Sequence, residues 1–371
     1  MKEILDKTCR DAKLVGASMV VCKDGKIVES HNYGYSSLEN KRLANDRSVY
    51  RIASISKVVV ALTVLKLYER GLVDLDSDIS KYLGFKVFNP HFPDDKITIK
   101  MIMTQTSSIK DGCEDEVEGY NTGYNDINGT NKSCELEDLL LQGGKYYTED
   151  TWDIYKPGTK FNYANFNCGI LACIVERITG VKFTTFVRQE ILLPLGMDAS
   201  FDVTDILTTD ISSLYYPTSD GGVKLARYRE DFIKSVYPDF GIGKNFRGPA
   251  GGLFTSMQDL SRIMNMLINK GYPLFKEETI KLMLSSHWKG DGDSTYKEKG
   301  LQVQINNHFN NRTLKGHFGS AYGARSFMLF NEEKKIGICF ITNGGHFCEQ
   351  ENGYADIHEK LINAFLDKYW L

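Results

Sequence analysis

A serine hydroxyl attacks a carbonyl carbon only feebly until a neighbouring group takes its proton. The stretch from Tyr50 to Gly71, YRIASISKVVVALTVLKLYERG, offers such a pair in Ser54 and, three residues on, Lys57. Val58, Val59, Leu62, Leu65 and Leu67 recur near helical spacing and Gly71 supplies a left-handed stop, so Ser54 and Lys57 share one face of a helix's first turn. A serine at that place commonly caps free backbone N–H groups. The lysine does not fit so plain an account, because first turns favour acidic residues and a cation there needs some other partner. Ser-x-x-Lys recurs at Ser107/Lys110, Ser286/Lys289 and Ser294/Lys297, but these sit at the edges of polar, loop-like segments. A desolvated Lys57 favours its neutral form and can take the Ser54 proton.

Two further short patterns carry polar chemistry. PGTKFNYANFNCGILACIVERITG reads as a turn and a helix ending at Gly180, and it holds the one Tyr-x-Asn among twenty tyrosines, Tyr163 and Asn165. Taken alone, Tyr163 reads as a packing residue and Asn165 as a helix cap. LKGHFGSAYGARSFMLF holds the one His-x-Gly, at His317 and Gly319, where a glycine after a strand histidine by itself marks a bend. Were the fold to bring it beside Ser54, Tyr163 would be a second proton acceptor, and a nearby ammonium would favour its phenolate. The pair titrates as a coupled unit, so the sequence leaves the resting base open. Asn165 can hold Lys57 and bind a substrate amide carbonyl, and His317 can donate to Tyr163 or to substrate.

The elements that must position these groups lie at both ends of the chain. GASMVVC and KIVESHNYGY are strand-like and joined at Lys23-Asp24-Gly25. LQVQINNHF, RTLKGHFG, ARSFMLF and KIGICFIT follow late in the sequence, then an amphipathic helix with Tyr354, Ile357, Leu361, Phe365 and Leu366 on one stripe. The middle reads as helical near 58–70, 98–106, 135–141, 167–179, 182–192, 257–269 and 276–285. Either set of strands alone leaves edges and a bare face, so one antiparallel sheet is expected from residues 1–53 and 296–371, with 54–295 inserted as a mainly helical lobe. Ser54 then stands where the chain leaves the sheet, at a cleft. Residues 110–150 read as a long loop with one short helix, either a surface excursion or a lid.

Bulk properties narrow the function classes. The chain has 371 residues with 45 Lys+Arg against 48 Asp+Glu, a balance that argues against nucleic acid or an anionic membrane as partner. Eight cysteines occur without Cys-x-x-Cys, and His-Glu-x-x-His is absent, so neither a metal nor another cofactor is called for. Several cysteines lie in apolar runs and fit a reducing compartment. No signal-like apolar run or membrane-length segment is seen, which points to a cytoplasmic location for the chain as given, or a secreted or periplasmic one if a leader was removed. Oligomeric state is left open.

Together and in this order, Ser54/Lys57, Tyr163/Asn165 and His317/Gly319 resemble the class C β-lactamase and penicillin-binding-protein superfamily of active-site serine hydrolases. Linking phrases extend the resemblance over nearly the whole chain: VDLDSDISKYL, ITIKMIMTQTSSI, GPAGGLFTSMQDLSRIM and KKIGICFITNGG. It implies a mixed α/β fold, an acyl-enzyme on Ser54, and an oxyanion hole from the backbone N–H groups of Ser54 and Ser320, with Gly319 letting the strand approach substrate. The implied substrate is a small molecule or peptide with an amide or ester bond. Three residues depart from the pattern. Phe318 stands where many members place a hydroxylated residue that helps bind a substrate carboxylate, His317 replaces a permanent cation, and Ser108 stands where relatives commonly have glycine. These weaken recognition of penicillins or of a C-terminal D-Ala carboxylate. An esterase or D-aminopeptidase by the same acyl-serine route is thus a second expectation, a non-hydrolysing sensor a third. No Gly-x-Ser-x-Gly elbow supports an α/β-hydrolase.

Overall fold

The computed structural model describes residues 1–115, 120–290 and 296–370. Its frame is an antiparallel sheet drawn from both ends of the chain. The strands are β1 (Gly16–Lys23), β2 (Lys26–Ser37), β3 (Arg42–Leu43), β4 (Trp288–Lys289), β5 (Glu298–Lys299), β6 (Gln304–Asn306), β7 (Leu314–Ala321), β8 (Ala324–Asn331) and β9 (Ile336–Thr342). Among the described residues their order is β4-β5-β6-β7-β8-β9-β1-β2-β3. The Lys23-Asp24-Gly25 turn is as expected: Asp24 and Gly25 both take positive φ, 51° and 75°, the turn whose twist suits a two-residue hairpin.

Alternation along β1 and β9 explains why both ends of the chain meet at the sheet's centre. Ala17, Met19 and Val21 face one core with Ile336, Ile338 and Phe340, while Val20, Cys22, Cys339 and Ile341 face the other. Buried on both faces, these two strands need layers on both sides. Helices α1 (Lys2–Asp11) and α5 (Asp356–Tyr369) cover the first face, with Leu5, Cys9, Leu361 and Phe365 inward. On the second face lies α4 (Met257–Ile268), and the core beyond it continues into α2 (Ser56–Glu69) and α3 (Phe166–Thr179), which pack on each other. Helix α2 is buried from Ser56 to Leu65, and α3 from Phe166 to Glu176, as helices apolar all round must be.

The stretch 54–295, expected as a mainly helical lobe, also contributes to the sheet and its covering layer. Helix α4 lies directly on the sheet, where a Cβ on Gly337 would stand 2.5 Å from Met264 Sδ, and β4 joins the sheet's edge. Val49–Arg51 also pairs with Phe254–Ser256, which ties the chain's departure from the sheet to its return. Short polar-flanked strands of three residues carry too little alternation to be legible. In the loop over 110–150, residues 116–119 lie outside the described residues; Tyr124, Ile127, Leu136 and Leu139, which follow them, are buried in the core. No helix among the described residues is long and apolar enough to cross a membrane.

Candidate active site

Ser54 sits in a short 3-10 turn, Ala53–Ile55, between the strand Val49–Arg51 and α2, and no side-chain capping bond is made at either helix start. Ala53 takes φ 51°, a left-handed conformation that costs an L-residue roughly 1 kcal/mol. The surroundings hold it there. Ser326 Oγ donates to Ile52 O at 3.1 Å, Ser56 Oγ donates to Ala53 O at 2.6 Å, and Leu253 N donates to Ser56 Oγ at 3.1 Å. The turn frees the Ser54 hydroxyl from capping and points it at the lobe's polar groups.

Lys57 is fully buried, and its Nζ stands 3.2 Å from Ser54 Oγ, 2.8 Å from Asn165 Oδ1 and 2.8 Å from Ala250 O. Burial pushes its pKa down to about 8, against the opposing pull of Cys168 and Asp111. Two of its three partners are carbonyl oxygens, which only accept. A neutral amine therefore keeps both N–H bonds on Asn165 and Ala250 and turns its lone pair to the Ser54 hydroxyl. Tyr163 donates to Ser54 Oγ at 2.8 Å, and burial raises its pKa. Of the two states the sequence left open, removal from water favours the protonated phenol, against the phenolate that an ammonium 4.7 Å from the ring centroid would favour.

Asn165 is oriented by a residue that the sequence did not single out. Asp111 Oδ2 accepts from Asn165 N and Nδ2, both at 3.0 Å, and its Oδ1 accepts from Phe166 N at 2.7 Å. Gln105 holds the same segment from the other side, its O accepting from Asn162 N at 2.9 Å and its Oε1 from Ala164 N at 3.0 Å. Gln105 lies in the TQTSSI phrase, whose family likeness was visible, whereas Asp111 left no local signal. Ser108 in that loop takes φ 64° without glycine, and its Oγ accepts from Asn89 Nδ2 at 3.0 Å. Ser107 is buried and donates to Asn167 Oδ1 at 2.9 Å, Ser286 is exposed, and Ser294 lies outside the described residues.

Strand β7 brings the third motif alongside. Its partner β6 pairs with Leu314, Lys315 and Gly316 alone, so the outer edge of residues 317–321 is unpaired among the described residues. Gly319 lies beneath the Ser54 turn: a Cβ there would stand 2.6 Å from Ile52 O and 2.3 Å from Ser326 Oγ. Ser320 and Ser54 line one cavity of about 490 Å³, together with Asn165. His317 is fully buried with Nδ1–H donating to Phe318 O at 2.5 Å, and its pKa falls well below the ordinary value through burial and the nearby Lys299 and Lys57. Nε2 is then a lone pair, so the expected donor role is corrected to that of an acceptor. Phe318 is corrected as well. Alternation turns its ring to the opposite face, 5.0 Å from Tyr354 and 5.4 Å from His358. Arg325, the nearest cation by sequence, pairs with Glu349 at 2.6 Å and donates to Ser320 Oγ.

Behind Tyr163 lies a second buried amine that sequence reading missed. Lys299 Nζ has no hydrogen-bond partner among the described residues, stands 5.5 and 5.9 Å from the ring centroids of Tyr296 and Phe161, and is pushed down to about 7 by burial. Tyr296 in turn lies 5.4 Å from Tyr163. Among the described residues no cluster of three His, Cys, Asp or Glu side chains could hold a metal ion.

A comparison with known proteins matches the beta-lactamase family model over residues 2–359. Protein flp of Staphylococcus aureus (strain N315) is 25% identical over 346 residues, 92% of this chain, which spans 62% of that relative's length. Esterase EstB of Burkholderia gladioli is 26% identical over 292 residues, 75% of this chain and 71% of EstB. Among solved structures, the octameric penicillin-binding protein homologue from Pyrococcus abyssi superposes with a TM-score of 0.76 at 25% identity, over 99% of this chain and 76% of the other. The D-amino acid amidase from Ochrobactrum anthropi SV3 shares the fold, with a TM-score of 0.73 at 18% identity over 99% of this chain and 96% of that one.

Proposed function

The chain belongs to the beta-lactamase family, and from that premise we propose that it is a serine hydrolase that cleaves an amide or ester bond through an acyl-enzyme on Ser54. One observation carries the reading: Ser54 Oγ is held between the amine of Lys57 and the phenol of Tyr163, at 3.2 and 2.8 Å. Lys57 takes the Ser54 proton as Oγ bonds to the carbonyl carbon. The oxyanion is met by the N–H groups of Ser54 and Ser320. As the bond to the leaving group breaks, Tyr163 gives that group its proton and is reprotonated by the Lys57 ammonium. Water then adds to the acyl-enzyme, with Lys57 again the proton acceptor, and releases the acid and the free serine.

An esterase or amidase is favoured over a hydrolase of β-lactams or D-Ala-terminated peptides. The β7 edge offers a neutral imidazole at His317 in place of a permanent cation, and a carboxylate desolvated without a charged partner is disfavoured. EstB, named an esterase, is a relative in keeping with this choice. The test is incubation with a fluorophosphonate, a fluorescent penicillin and 4-nitrophenyl esters, followed by intact mass and peptide mapping. An adduct at Ser54 with turnover of esters is expected. Labelling at Ser107, Ser286 or Ser294 instead, or turnover that survives Ser54→Ala, overturns the proposal.

A further inference from the structure

The cavity that opens from Ser54 is walled in part by arginines that make no ion pair among the described residues. Arg51, three residues before Ser54, and Arg227, on the strand Val223–Arg227, both stack on Tyr322, their guanidinium carbons 5.1 and 5.2 Å from its ring centroid. Tyr322 follows Ser320 by two residues, in the turn between β7 and β8. Neither guanidinium makes an ion pair among the described residues, and Arg227 has one long contact, 3.4 Å to Ala226 O. A third, Arg247, is buried on the same wall: it spends Nε and Nη2 on the carbonyls of Ile127 and Lys132 and leaves Nη1 without a partner among the described residues.

The acidic side chains of this wall are engaged elsewhere. Glu176 accepts from Phe183 N, Gly243 N and Asn245 Nδ2, at 2.9, 2.7 and 2.9 Å. Asp239 pairs with Lys182 at 2.8 Å, and Asp202 accepts from Thr204 N at 2.9 Å. Counting Lys182 and Lys234, five cations line the cavity against these three carboxylates, so its balance of charge among the described residues is positive. Tyr163, the proton donor to the departing group, does not line it, so the cavity lies on the acyl side of the scissile bond.

We propose that this cavity receives the acyl half of the substrate and that the acyl half carries a carboxylate, held by Arg51 and Arg227 beside Tyr322. The inference rests on Ser54 as nucleophile for its orientation, though not for the anion site itself. Guanidinium forks match carboxylate oxygens, and a cavity lined by one sign of charge concentrates the opposite one. A free α-ammonium at the same place would be repelled.

Binding and turnover separate the two ideas. On Ser54→Ala protein, calorimetry with methyl hydrogen glutarate and with dimethyl glutarate should show the anion bound about tenfold more tightly, the scale of a partly exposed charge-assisted contact. Arg227→Gln should remove most of that advantage, Arg227→Lys should return part of it, and the exposed position leaves the thermal midpoint unchanged. Equal affinities for the two ligands overturn the proposal, as does an anion advantage that survives both Arg51→Gln and Arg227→Gln. In the unmodified enzyme, 4-nitrophenyl hydrogen glutarate should exceed 4-nitrophenyl methyl glutarate in kcat/KM by a similar factor. Acylation of Ser54 without any anion preference rejects the anion subsite and keeps the hydrolase. An anion preference in binding without a Ser54 adduct supports the subsite and rejects the hydrolase.

Discussion

Asp111 holds Asn165 at two points, its Oδ2 lying 3.0 Å from the backbone nitrogen and 3.0 Å from Nδ2. Because Nδ2 is fixed on a carboxylate, Oδ1 must turn to Lys57, 2.8 Å away. The Lys57 amine is thus aimed by a residue that makes no hydrogen bond with Ser54.

Asp111→Asn should undo that aim, since an amide at 111 cannot accept from all three donors. A loss in kcat of about tenfold or more is expected, the scale of one charge-assisted hydrogen bond. Asp111 also raises the Lys57 pKa, so removing its charge should move the acid limb of the pH–rate profile to lower pH. Unchanged kcat with an unmoved limb would show that Asp111 only packs.

The pH dependence of acylation should follow Lys57. With its pKa near 8 through burial, about a tenth of the molecules hold a neutral amine at pH 7. Stopped-flow acylation rates should rise tenfold per unit below that pKa and level off above it. Lys57→Ala should lower the rate by about a hundredfold or more and abolish the limb.

Tyr163 keeps its proton, so Tyr163→Phe should hurt in proportion to the basicity of the leaving group. Expected is a small change for 4-nitrophenyl esters and a loss of about a hundredfold for alkyl esters or amides. Equal losses for both would mean that Tyr163 acts as the base.

Phe318→Thr should leave the preference between charged and neutral substrates unchanged, because the ring lies against Tyr354 and His358 on the face away from Ser54. Its effect should fall on stability, a loss of about 2 kcal/mol for a half-buried aromatic ring. Chemical denaturation and a substrate panel together decide the matter; a gain for benzylpenicillin would place the ring in the cleft.

Lys299 burdens the fold. Unfolded, it binds its proton up to the ordinary value of 10.5; folded, it releases it near 7. Between those values the unfolded state holds more protons, so this residue makes stability rise with pH, and its full penalty is present below pH 7. Lys299→Met should raise the free energy of unfolding most at pH 6, by an amount on the order of a few kcal/mol, with the gain shrinking toward pH 10. A variant less stable than the parent at pH 6 would show that the ammonium has a partner.

Short-range patterns carried most of the fold. The Asp24-Gly25 turn, the alternation in GASMVVC and KIGICFIT, and the apolar runs of α2 and α3 depend on residues within one turn or one strand, and the elements follow them. Short pieces such as Val49–Arg51 and Phe254–Ser256 were not legible, because each owes its strand to a partner two hundred residues away.

The site divides along the same line. Spacing alone set Ser54 beside Lys57, because a helical turn returns to the same face after three residues, and motif order marked Tyr163, Asn165, His317 and Gly319 as companions. Tertiary structure decided their chemical states. Burial, absent from any local pattern, keeps the proton on Tyr163 and lowers the pKa of Lys57. The pleat of β7 and its place in the sheet send Phe318 to the far face, and the carbonyl of Phe318 takes the one proton that a neutral His317 could have donated. Asp111 and Lys299 reach the site across 54 and 242 positions from Asn165 and Lys57, distances over which a sequence fixes residue types but only packing fixes which of them meet.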